Sequence, residues 1–327
     1  MPGTPAGSPN HSLPRNPEKV RTFTHRSRAV RGELERAGMP GSSVRIWLIL
    51  ATLVTADAVL CETRNLSISH CRPIVLAGAG LLAVAMCSRV SGRLPRLGTI
   101  AEWTLLWTIF SVAGAVLTYL AAAHDVPLYD VKMAAFDATL GFDANAWFHT
   151  IDQHPLLKFA LALAYGSLAP QILFSIFWFS RPGWEHRNAE LLTNAALALL
   201  LATAVFWMFP TFGPYAGMPG FDDLYVADLE GLRHGTLPGV DVMLLKGVVA
   251  FPSFHAALAV LFVDAHRRLP SFLPVLAFNL VMLAAVPSEG GHYLADLLGG
   301  VAIAVLAILT VRAVPARAPA LASATTA

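Results

Sequence analysis

The sequence predicts an all-α, polytopic membrane protein with about eight transmembrane helices. Three observations carry this. Of 327 residues, 55% are hydrophobic and only 13% are charged. The mean hydropathy is +0.58. The apolar residues also gather into stretches long enough to cross a bilayer. This combination excludes an ordinary soluble domain.

A spanning helix needs roughly 20 mostly apolar residues. Such stretches fall at 46–60, 73–88, 101–123, 156–179, 191–209, 251–267, 271–287 and 293–314. Those at 46–60, 73–88, 251–267 and 271–287 are short, and a tilted or re-entrant segment is the alternative there. Residues 1–45 are rich in Pro, Ser and Arg and read as a disordered, basic cytoplasmic tail. Residues 46–99 supply two additional transmembrane helices. Residues 100–314 form the functional six-helix membrane domain, and 315–327 read as a second disordered tail. No apolar stretch precedes Arg45, so the first span is expected to act as the signal.

The formal net charge is only +2, but its distribution is informative. With both termini cytoplasmic, most of the 23 Lys and Arg fall on the cytoplasmic side. The outer loops keep Arg64, Arg72, Lys132, Lys158, Arg233 and Lys246. The positive-inside rule supports this orientation, and the expected location is multi-pass in the plasma (inner) membrane. Among three cysteines, Cys61 and Cys71 share the first outer loop, where an oxidising compartment could join them. The sequence leaves that pairing open. Cys87 reads as a small apolar filler of the second span. The absence of a Cys-x-x-Cys pattern speaks against structural zinc.

Two outer segments stand out. Tyr129 to His149 mixes Val131, Phe136, Leu140, Trp147 and Phe148 with Asp130, Lys132, Asp137 and Asp143. It is too polar to span and reads as one amphipathic interfacial helix. Residues 210–250 form the longest loop, opening on Pro210-Thr-Phe-Gly-Pro214, which cannot continue a helix. This loop runs directly into Phe251-Pro-Ser-Phe-His255, so it should lie over whatever that string does.

That string and a second, His292-Tyr-Leu-Ala-Asp296, each stand at the start of an apolar helix. One helical hairpin separates them, which returns both histidines to the same membrane face. Pro252 suits an opening helical turn. Free N–H groups there favour an anion within reach of His255. Ser253 either donates to a phosphate oxygen or caps the helix. His292 and Asp296 are four residues apart and share a helical face. A carboxylate on one ring nitrogen fixes the tautomer and leaves the other as nucleophile. Gly290-Gly291 permit a tight backbone approach, and Gly299-Gly300 serve close helix packing. A lone histidine at a helix end is ordinarily an interfacial residue. An ionisable Asp296 one turn into a span, with His292 as partner, argues for function. Asp57 is also intramembrane, but no partner for it is visible.

The two strings, Phe251-Pro-Ser-Phe-His255 and Gly290-Gly-His-Tyr-Leu-Ala-Asp296, resemble the type 2 phosphatidic acid phosphatase superfamily. They are most similar to its inositol phosphorylceramide synthase-like branch. The resemblance covers about residues 100–314 and implies a six-helix bundle with both motifs at outer helix ends. It implies that His292 attacks phosphorus to form a phosphohistidine, that His255 protonates the departing oxygen, and that Asp296 orients His292. The implied partners are a lipid phosphate and an alcohol acceptor such as inositol or a sugar, with membrane lipids around and no nucleic acid, cofactor or metal. Two family features are missing. No Lys, six residues, then Arg-Pro occurs, and Ala285-Val286 stand where the phosphatases have Ser-Arg. A phosphoryl group still needs cations. The candidates are Arg233, in an Arg-x-Gly stretch like one in the synthase-like branch, and Lys246. Rival readings are a transporter or channel using intramembrane His and Asp, and a metal-dependent membrane hydrolase holding zinc on His255, His292 and Asp296. No repeat symmetry supports the first, and no His-Glu-x-x-His pattern supports the second.

Overall fold

A computed structural model describes residues 41–216, 218, 224–237 and 239–313. The expected tails, apart from 41–45, lie outside these residues, as do Asp222 and Asp223 of the long loop. The described residues from 46 onward form one compact unit; of the preceding unit, 1–45, only the start of the first helix is described.

Twelve helices are described. They are α1 (Gly41–Arg64), α2 (Cys71–Ser91), α3 (Pro95–Ala122), α4 (Asp130–Thr139), α5 (Ala144–Asp152) and α6 (Pro155–Tyr165). After these come α7 (Leu168–Phe179), α8 (Glu185–Met208), α9 (Leu224–Arg233), α10 (Phe254–Ala265), α11 (Phe272–Gly290) and α12 (Leu294–Ala313). Six of them are long and apolar enough to cross a membrane: α1, α2, α3, α8, α11 and α12. The chain is an all-α, multi-pass membrane protein. Large apolar side chains face outward along α2, α6 and α12, among them Val75, Phe159 and Leu309. That is the surface lipid tails would cover.

Two expected spans differ in form. The stretch 156–179 is a broken pair, α6 and α7, bent by 49°. The break falls at Gly166-Ser167, the kind of pair at which helices kink. There the Ser167 hydroxyl donates back to the Ala164 carbonyl. The stretch 251–267 holds only the short α10. It is short because it is enclosed. Ala256, Ala257, Ala259, Leu261 and Phe262 are all buried, and α7, α8, α11 and α12 pack around it. A helix apolar on every side belongs inside a bundle.

The core clusters around α10. Trp103, Leu106 and Phe110 of α3 join Leu192 and Ala195 of α8, Phe262 of α10 and Ala304 of α12. At one end Arg267 pairs with Glu190 and Asp264, and Arg312 with Asp264. These pairs tie α8, α10 and α12 together. Within the bundle Asn279 of α11 donates to Gln171 of α7 at 2.8 Å. Glu102, buried in α3, accepts from Arg89 of α2 and Trp47 of α1. A carboxylate at membrane depth needs such partners, and this one fastens the two additional helices to the bundle.

At the other end the expected single amphipathic helix is two, α4 and α5. Gly141, at φ 72°, ends the first, and Asp143 caps the second by accepting from the Asn145 and Ala146 amides. Short strands β1 (Ser67–Ser69) and β2 (Gly239–Asp241) pair in parallel, fastening the long loop to the α1–α2 connection. Gly239 is required there, because a Cβ would lie 2.0 Å from Ser67 Oγ. The cysteines are free: Cys61 is buried inside α1, Cys71 opens α2, and Cys87 is exposed on the side of α2.

Candidate active site

The two strings meet through backbone. Ser253 is the N-cap of α10, its hydroxyl accepting from the Ala256 amide at 3.4 Å. Its own N–H donates to the Asp296 carbonyl at 2.9 Å. Gly299 and Gly300 make this approach possible. A Cβ at Gly300 would stand 2.1 Å from the Ser253 carbonyl, and one at Gly299 would meet the Phe251 ring and Pro252. The close packing expected of this pair therefore joins the two strings.

His292 precedes its helix instead of sitting on it. Gly291, at φ 64°, closes α11 in the left-handed conformation. L-residues with a Cβ seldom adopt that conformation. Helix α12 begins at Leu294, and Asp296 reaches back from its first turn. One carboxylate oxygen, Oδ2, accepts from the Tyr293 amide at 2.9 Å and stands 3.1 Å from His292 Nδ1. The pairing expected from an i, i+4 helical face is present, but it arises from a helix-start turn. With Nδ1–H donating to the carboxylate, the His292 Nε2 lone pair is left over. Nε2 faces the Ser253 hydroxyl at 3.4 Å. Asp296 is fully buried.

A second carboxylate holds this turn from outside. Asp137 of α4 accepts from the Leu294 amide at 2.7 Å and the Ala295 amide at 2.9 Å. The first amides of α12 are thus satisfied by a side chain from another helix. Burial pushes the Asp137 carboxyl above the usual carboxylate range, against the pull of those two amides. Two turns earlier on the same face of α4, Asp130 accepts from the Phe212 and Gly213 amides and from the Tyr293 hydroxyl. Sequence reading treated Asp130 and Asp137 as surface charge. Their seven-residue spacing places both on one helical face, but it does not say which amides that face meets.

His255 lies in the first turn of α10. Its ring stacks on Tyr165, with centroids 4.2 Å apart and planes at 8°. The Tyr165 hydroxyl is 3.5 Å from His255 Nδ1. The same hydroxyl borders the second histidine. A Cβ built on Gly290 would meet both His292 Cδ2, at 2.6 Å, and Tyr165 Oη, at 2.8 Å. Tyr165 went unread in the sequence; its place at the α6–α7 break is visible only in three dimensions.

Both histidines line one cavity of about 620 Å³. Lys246, Glu289 and Tyr165 line it too, while its walls are apolar, with Phe110, Ile172, Leu199 and Leu258 among them. Along α3 it runs from Thr118 to Trp107, about 16 Å at 1.5 Å per residue. Of the two expected phosphate-binding cations, Lys246 lines the cavity and Arg233 does not. Arg233 is spent on Asp125 Oδ1 at 2.9 Å and on the His124 and Val126 carbonyls, tying α9 to the end of α3. Among the described residues, no group of three His, Cys, Asp or Glu is placed to hold a metal ion.

The helices thus bring a paired His–Asp and a second His to one cavity at one end of an apolar bundle. Residues 131–310 match the family model described as the PAP2 superfamily. The match covers more than half of the chain, and the protein belongs to that superfamily of membrane lipid phosphatases and phosphotransferases. No curated protein and no solved structure matches the chain.

Proposed function

We propose that the protein transfers or hydrolyses the phosphoryl group of a lipid phosphate through a phosphohistidine at the extracytoplasmic face of the plasma membrane. The observation that carries this reading is the shared cavity. His292, held at Nδ1 by Asp296, and His255 both open onto it. His292 Nε2 attacks phosphorus, and the bond to the leaving oxygen breaks. His255 supplies that oxygen's proton. Asp296 keeps Nδ1–H in place and stabilises the charge the ring acquires. Neutral His255 then takes a proton from the incoming water or alcohol, whose oxygen attacks phosphorus as the P–N bond breaks.

The Ser253 hydroxyl, now facing Nε2, turns to a phosphate oxygen when substrate enters. Lys246 is the cation of this reading, since Arg233 is tied elsewhere. The apolar walls suit the hydrocarbon of the substrate. The Lys and Arg distribution supports an outward site, with Arg187, Arg267 and Arg312 at the opposite end of the bundle. The form of the two strings favours the inositol phosphorylceramide synthase-like branch, hence an alcohol acceptor such as inositol or a sugar. The test is to incubate purified protein in detergent with a panel of lipid phosphates, with and without these acceptors, and resolve products by mass spectrometry. Phosphate or phosphoryl-acceptor that vanishes in His292→Ala is the expected result.

A further inference from the structure

The proposed mechanism leaves one charged group of the cavity without a task. Glu289 ends α11 three residues before His292 and lines the same cavity as His255, His292 and Lys246. We infer that Glu289 forms the acceptor subsite and selects a neutral, hydroxyl-rich acceptor over water. The inference rests on the phosphotransfer reading above.

The argument is one of charge and of available surfaces. The transferred phosphoryl group is anionic, so a carboxylate beside it opposes any second anion in the cavity. Glu289 therefore favours the component that brings hydrogen-bond donors. Lys158, which acts on Glu289 electrostatically, is already bonded to Asp152 at 2.6 Å. It stands on α6, and it does not line the cavity.

Two donor classes suit a carboxylate: ammonium groups and hydroxyls. An ammonium head group is best held against aromatic faces. The Tyr165 ring gives a face to His255. The other aromatic rings of the lining pack on one another, Phe110 against Trp107 at 5.4 Å and against Phe254 at 6.4 Å. Hydroxyls need no such faces. A carboxylate offers two oxygens with about four lone-pair sites; Ser288 takes one of those of Glu289, and the rest suit neighbouring hydroxyls of one polyol. A polyol held there would present a hydroxyl to phosphorus at high effective concentration, and water would lose the competition. Glu289 is in this sense a specificity-determining residue, and the proton of the attacking hydroxyl still passes to His255.

The experiment uses full-length protein in detergent, with phosphatidic acid as donor and myo-inositol as acceptor probe. Choline is run in parallel as a cationic probe. Glu289→Gln and Glu289→Ala should lower the transfer-to-hydrolysis ratio at least tenfold, with a rise in the inositol KM that exceeds any change in donor KM. A ratio within twofold of the parent protein in both variants overturns the inference, and so does preferred transfer to choline. Inositol binding, followed on the same samples by saturation-transfer NMR, separates this from the parent reading. Glu289-dependent binding without any lipid-phosphate turnover would refute phosphotransfer and keep the subsite. Binding that persists equally in both variants would refute the subsite alone.

Discussion

The amide of Ser253 donates to the carbonyl of Asp296 at 2.9 Å, so the turn that bears one histidine is bonded to the turn that orients the other. This contact depends on Gly300, where any Cβ would enter the Ser253 carbonyl. The spacing of the two histidines is thus set by backbone, before any side chain is placed.

Gly300→Ala tests that dependence. The obstacle is backbone, so α12 must shift outward. A close-packed site pays about 1–3 kcal/mol for such overpacking. The melting temperature should fall, and activity should fall further than folded fraction accounts for. Gly80→Ala, at a position inside α2 where a Cβ meets nothing within 4 Å, is the control; it should leave activity unchanged and should not lower the melting temperature.

Asp296→Asn should fold normally yet slow turnover by roughly 10³–10⁴, because the amide no longer fixes the Nδ1–H tautomer of His292. Steady-state kinetics with a melting curve on the same sample would check this. An unchanged rate would remove Asp296 from the site.

His255→Ala should lose most turnover with ordinary lipid phosphates. With a donor whose leaving group needs no proton, such as a p-nitrophenyl phosphate ester, the loss should be much smaller for the first step. A burst of nitrophenol followed by a slow steady state is the expected trace. Equal losses with both donors would assign His255 another role.

Asp137 links stability to pH. Its carboxyl is raised by burial, so its charged form is less favourable in the folded protein than in the unfolded chain. The stability this group contributes is full below about pH 4, the ordinary carboxylate value, and is lost as pH rises through the elevated folded value. Asp137→Asn removes that decline. Relative to the parent, the melting temperature of the variant should therefore improve between pH 4 and pH 7. Asp137→Ala leaves the Leu294 and Ala295 amides without their acceptor and should cost about 0.5–2 kcal/mol near pH 4, and less as pH rises. A difference that moves the other way with pH would contradict this account.

Hydrophobic run length made the all-helical membrane fold legible, because a bilayer admits few other solutions. That His255, His292 and Asp296 come together was legible, because their residue types are costly at helix starts within a membrane. Asp137, Asp130 and Tyr165 were not. Their roles depend on which helix end they reach, and chain spacing does not encode that contact. Arg233 illustrates the converse. Its local string suggested a phosphate clamp, yet the three acceptors that hold it, on Asp125 and its neighbours His124 and Val126, come from a segment over 100 residues away. The shortness of 251–267 was legible, but the enclosure of α10 by α7, α8, α11 and α12 was not, since those contacts come from distant parts of the chain.

The central claim is that phosphate passes through the ring at position 292. Rapid quench of the purified protein with ³²P-labelled phosphatidic acid, followed by peptide mapping under alkaline conditions, tests it most directly. The account predicts acid-labile label on the peptide carrying His292, absent from His292→Ala. Brisk turnover with no label there, or label on His255 instead, would contradict it.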